Sequence, residues 1–318
     1  MELSWLLVFK IGASLAGVIA GMGMFSEISW PVKLKVTAAL LVGIILIGFL
    51  APLGTPAEPF GVISVPAFGG AVTLAGLAVL AGFIGYFLSW PNGREIGILA
   101  APAGLAIWAV RGGNMTELMR LAPTLAQRQT MFASLKWEPI FWLAIVAAGF
   151  GGVLLGQYLV SRTSSITPRS FDFSPPSLIQ RIFAVVCSGL IAQFCIGIFA
   201  QDIRIPDLRL SSVVAQPAVG QIVFAVLVSF GIAAFLVKKF LDASYIWPIA
   251  ASALVTGFTV ITCTRESTLQ YLIEHYPPIF FSWAVTSILP VQMVAFGTLG
   301  SIAGYWLAVR VNFRQKHP

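Results

Sequence analysis

Apolar runs long enough to cross a bilayer recur along almost the whole of this chain. A helix rises about 1.5 Å per residue, so about 20 mostly apolar residues span the hydrocarbon core. Nine segments are expected to do so: 4–25, 32–51, 68–90, 95–110, 138–160, 182–200, 218–237, 245–263 and 291–311. Only 10% of the residues are charged, against about 25% in a soluble domain. The expected fold is all-α: a polytopic transmembrane helix bundle forming one integral membrane domain over 1–318. The same composition excludes a soluble enzyme, a nucleic-acid binder and a disordered tail, and makes the lipid bilayer the first partner.

Three stretches depart from the simple pattern. Lys10 either snorkels or marks 1–9 as an interfacial lead-in. The first span is read as retained rather than as a signal peptide, because Glu2 and no basic residue precedes the apolar run. Span 95–110 is short and holds Pro102. Residues 278–290 start at Pro277-Pro278 and end at Pro290, and are read as re-entrant or interfacial.

Basic residues set the orientation. With nine spans, one side carries eleven: Lys33, Lys35, Arg94, Arg162, Arg169, Arg181, Lys238, Lys239, Arg310, Arg314 and Lys316. The other carries seven: Arg111, Arg120, Arg128, Lys136, Arg204, Arg209 and Arg265. The bias places the C-terminus in the cytoplasm and the N-terminus outside, in a plasma membrane of the bacterial inner-membrane kind. The net charge of +7 then reflects loops beside anionic lipid. Trp30-Pro31, Trp90-Pro91 and Trp247-Pro248 fall at span ends on the cytoplasmic side, where an interfacial indole is expected.

The connections are too short to hold a core of their own. Residues 51–67, with four prolines, read as an extended apolar loop on the membrane surface. Residues 112–137 and 264–277 read as amphipathic surface connections on the outer face. Asn114 with Glu117 forms a capping-box-like start, Pro123 is a break, and Leu269, Leu272, Ile273 and Tyr276 form an apolar stripe.

Several chemistries fail on residue counts. A transmembrane haem held by two histidines needs them inside helices, but His275 lies in a loop and His317 at the terminus. No span carries an acid in its middle, because Glu95, Glu138 and Asp242 sit at ends. That argues against proton coupling through a buried carboxylate. The four aspartates are too scattered to hold magnesium on a diphosphate. No metal site, nucleotide signature or cofactor is expected. Cys187-Ser188-Gly189-Leu190 resembles the Cys-Ser-Gly stretch of exosortase-type membrane transpeptidases over four residues, but no arginine follows the Gly-Leu.

Polar and basic candidates remain. Gln193 and Gln221, in consecutive spans, either hydrogen-bond across a helix pair or line a substrate path. Arg204, Arg209 and Arg265 share two outer loops with Asp202, Asp207, Glu266 and Glu274. They either gather around an anionic group or pair with those acids. Small residues recur every four positions at Ala13/Gly17/Gly21, Ala148/Gly152/Gly156 and Gly300/Gly304, which marks close helix contacts. In the second stripe Gly152 is expected to resist a larger side chain and Val153 to accept one. The leading functional expectation is a permease-type or translocation component. The alternatives are a non-catalytic subunit among other membrane subunits, and a membrane enzyme acting on a lipid-linked substrate at the outer face.

Overall fold

The computed structural model describes residues 29–54, 68–163, 177–263, 265–276 and 281–316, and these form an all-α bundle of membrane type. The long helices are α1 (Trp30–Leu53), α2 (Phe68–Leu88), α3 (Gly93–Arg111), α6 (Glu138–Thr163), α7 (Leu178–Phe199), α8 (Val219–Leu241), α9 (Ile246–Cys263) and α11 (Pro290–Lys316). Two short helices, α4 (Met115–Leu121) and α5 (Leu125–Leu135), precede α6, and α10 (Glu266–His275) follows α9. Among the described residues, seven segments are long and apolar enough to cross a membrane. The count is eight if α9 and α10, bent by 75°, are one span. Segment 4–25, the Ala13/Gly17/Gly21 stripe and most of loop 51–67 lie outside the described residues.

Local chemistry sets several boundaries. Asn114 Oδ1 accepts from Glu117 N at 3.0 Å to start α4, and Thr124 with Gln127 makes a full capping box at the start of α5, after Pro123. Asp242 closes α8 in the left-handed region, with φ of 49°. In α1, residues Ile44–Leu50 are π-helical, and the Gly48 carbonyl accepts from Arg111 Nη1 at 2.8 Å. The widened turn presents a carbonyl outward, and the arginine ending α3 takes it.

Glycine fixes the seams. A Cβ added at Gly152 of α6 would collide with the Val79 carbonyl of α2, and one at Gly82 with the Gly149 carbonyl. The Gly300/Gly304 stripe of α11 lies against the Leu227 and Gly231 carbonyls of α8, and Gly104 of α3 against the Gly43 carbonyl of α1. Backbone thus packs on backbone, the arrangement small residues permit in lipid. The expected tolerance at Val153 is overturned: the residue is 1% exposed and its amide borders Gly82, so it lies in the same seam.

The chain departs from an all-helical reading in one connection. Arg204–Asp207 (β1) pairs antiparallel with Ser211–Val214 (β2), and Val214 also bridges to Phe281. Residues 281–289 contain only a 3-10 turn at Ala284–Ser287, and apart from Ser282 and Trp283 they are buried. Polar side chains knit this end of the bundle. Gln292 of α11 donates to Ala109 O and Gly113 O at the end of α3. Gln216 donates to Ser287 O at 3.1 Å and accepts from Thr116.

Candidate functional site

The hairpin carries the site, and one aspartate anchors it. Asp207 Oδ1 accepts from the amides of Arg209 and Leu210, at 2.9 and 2.7 Å. Its Oδ2 accepts from the phenols of Tyr271 and Tyr276, at 2.8 and 2.7 Å, which ties the hairpin to α10. All four bonds favour the ionised form. The Leu210 amide and the Tyr276 hydroxyl lead in holding the carboxyl down to about 2. The same carboxylate pushes Tyr276 up to about 12. The Arg209 guanidinium lies 5.0 Å from the centre of the Tyr271 ring, and the His275 ring stacks on the same tyrosine, 4.3 Å between ring centroids. Connections 201–217 and 265–276 therefore meet, through the hydrogen bonds of Asp207 and through Arg209 over Tyr271.

Beside this anchor is a groove of about 640 Å³. One wall is the last part of α7, with Leu190, Gln193, Phe194 and Gly197. The other is the hairpin with Arg204, Leu210, Ser211, Ser212 and Val214, and the floor is Ser282–Val285. Leu190 and Phe194 are 63% and 70% exposed on a helix long and apolar enough to span a membrane, so the groove opens sideways on the exposed apolar face of α7. Leu190 lies nine residues before the end of α7, about 13 Å down the helix. The groove therefore runs from the polar helix ends into apolar depth.

The candidate residues separate in the fold. Arg204 and Gln193 line the groove together. Arg204 Nε donates to Ser212 Oγ at 3.0 Å, and its terminal amino groups have no partner among the described residues. The side-chain amide of Gln193 forms no hydrogen bond among the described residues. Gln221 bonds across the helix pair instead: it donates to Phe199 O and Gln201 O, both at 3.1 Å, and so caps the end of α7. Arg209 covers Tyr271. Arg265 is exposed and starts α10, its carbonyl receiving the Thr268 and Leu269 amides. None of the three arginines forms an ion pair among the described residues.

Two charged residues are more buried than their sequence positions implied. Glu138, at the start of α6, is 4% exposed and accepts from Trp142 Nε1 at 3.5 Å. Arg128 of α5 is 5% exposed, with Nε donating to Ala122 O and Nη1 unpartnered. Cys187 packs against a small cluster of Ala184, Val237 and Ala243, toward the end of α8 and the start of α9, away from His275 at the end of α10. Among the described residues no three of His, Cys, Asp and Glu gather as metal ligands would. The chain matches no known protein family, and no characterised protein or solved structure is similar to it.

Proposed function

We propose that this multi-pass membrane protein is a translocation component of the permease type, and that the groove between α7 and the hairpin is where an amphiphilic substrate enters from the bilayer. One observation carries the reading: the groove joins a polar roof at the helix ends to an apolar wall that faces lipid. A substrate with a polar head and an apolar chain satisfies both parts. A purely polar solute would leave Leu190 and Phe194 facing the wrong solvent.

In this reading the protein sits in a bacterial inner membrane, with the hairpin end outside and the C-terminus in the cytoplasm. The direct test is lipid movement in proteoliposomes. Fluorescent headgroup-labelled lipid should reach the outer leaflet faster with protein than without, and Gly197→Trp, which fills the groove, should abolish the gain. Rates equal to protein-free vesicles contradict the proposal.

A second reading has its own support. Ile182, Val186, Leu190, Phe194 and Ile198 form an exposed stripe at four-residue spacing along α7. Such a face suits a non-catalytic subunit that docks this helix on a partner within a larger membrane complex.

A further inference from the structure

The groove's chemistry specifies its occupant more closely than the word amphiphile does. We infer that the groove binds a glycerophospholipid with a net negative head, its phosphate on Arg204, its ester region on Gln193 and its acyl chains along Leu190 and Phe194. The inference rests on the groove being the substrate entry proposed above, and it adds the class of ligand.

Charge comes first. Among the described residues the lining holds one guanidinium and no carboxylate. The two acids nearest in sequence leave it unpaired among the described residues: Asp202 is exposed outside the lining and forms no ion pair with Arg204, and Asp207 is taken by two tyrosines and two amides. Ser212 fixes the guanidinium by its Nε and leaves the terminal donors directed elsewhere. A pre-set guanidinium fork of this kind matches the oxygens of a phosphate.

Depth comes second. Gln193 lies six residues before the end of α7, about 9 Å below it along the helix. An amide at that depth without a protein partner is costly unless the groove brings one. In a glycerolipid the ester carbonyls lie below the phosphate, and they are acceptors for an amide NH₂. Leu190 lies nearly a turn further down, where acyl chains run, and Phe194 flanks Gln193 at almost the same depth. The order guanidinium, amide, apolar wall reproduces the order phosphate, ester, chain. A free phosphate would satisfy only the first of the three, and a zwitterionic lipid would set an extra cation against Arg204.

The test is native mass spectrometry of the full-length protein in detergent, titrated with phosphatidylglycerol, phosphatidylcholine or soluble glycerol phosphate. Phosphatidylglycerol is expected to bind at least about tenfold more tightly than phosphatidylcholine, since a charge-assisted hydrogen bond contributes more than the 1.4 kcal/mol that a factor of ten represents. Arg204→Gln should erase that preference, while Arg120→Gln, at the same end on α4, should keep it. Gln193→Leu should weaken both lipids by a similar factor of a few. If Arg204→Gln does not purify as a monodisperse protein, Arg204→Lys and Gln193→Leu carry the test: the first retains the preference in part, the second loses affinity for both lipids. Equal binding of the two lipids, preference retained in Arg204→Gln, or competition by glycerol phosphate as strong as by lipid each overturns the inference. Binding is read at equilibrium without a membrane to cross. A protein that binds selectively but moves no lipid in proteoliposomes therefore refutes the translocation reading and leaves this one standing.

Discussion

Helices α3 and α7 are built on opposite plans. The central window of α3 has a mean hydropathy of 1.3 and is 83% buried, whereas that of α7 has 2.3 and is 22% buried. A soluble protein reverses this order, with its most apolar helix innermost. Here lipid takes the apolar helix, and the interior takes the one rich in small residues. From Ala100 to Val110 only Trp108 escapes full burial, because alanine and glycine let α1, α2, α6 and α11 approach closely. Low hydropathy in a span of a membrane bundle thus marks a central position, and the lipid-facing helix is free to carry a site along its side.

The largest expected effect breaks that contrast by volume. Gly104→Leu drives a side chain into the Gly43 backbone, whereas Gly197 of α7 has open space around its Cβ position. Overpacking at Gly104 should cost about 1–3 kcal/mol or more, seen as lost monodisperse yield and earlier thermal aggregation in detergent. Gly197→Leu should match the parent in both. The same contrast holds within one helix, because Gly152 is jammed against α2 and its neighbour Gly151 is open. Gly152→Leu should fail where Gly151→Leu survives.

Acid should loosen the hairpin end and spare the bundle. Asp207 is held at about 2 in the fold, against about 3.9 for an unperturbed aspartate. A depressed folded value means the latch contributes fully above the unfolded value and is lost as pH falls through the folded one, between about 4 and 2. Protection factors of the 201–217 amides, taken against the intrinsic exchange rate at each pH, should fall over that range while those of α3 hold. Asp207→Asn should show low hairpin protection already at neutral pH, with little further change on acidification.

A smaller effect tests which way the bundle lies in the membrane. A cysteine at Ser134, exposed at the end of α5, should react with an impermeant reagent from outside the cell, and one at Asn92, between α2 and α3, should not. The reverse pattern inverts the proposed topology without altering the contrast between α3 and α7.

The spans were legible because hydrocarbon thickness imposes a length, and eight of the nine expected segments coincide with helices among the described residues. The glycine stripe over 148–156 was legible too, since four-residue spacing puts Gly152 and Gly156 on one face. Its limit was Val153, buried because α2 covers a wider arc than the stripe implies. The hairpin was not legible. Its strands are four residues each, Pro206 interrupts one, and part of their pairing comes from Phe281, nearly 70 residues away. Arg204 and Gln193 are both candidates in the sequence, but nothing there shows that they share a groove, which arises from the hairpin folding back on α7. Gln221, with the same two readings in the sequence, hydrogen-bonds across the helix pair. Asp207 as the anchor was missed because it was weighed only as a partner for arginine; the Tyr271 and Tyr276 pair in the neighbouring loop was the available signal.

Oxygen accessibility of nitroxide labels, scanned one residue at a time along both helices in lipid bilayers, tests the central contrast most directly. Along α7 maxima are expected at Ile182, Val186, Leu190, Phe194 and Ile198, the exposed positions. Along α3 uniformly low values are expected from Ala100 to Val110. A strong periodic signal along α3, or a flat low one along α7, would contradict the placement of the two helices and remove the lipid-facing wall on which the groove depends.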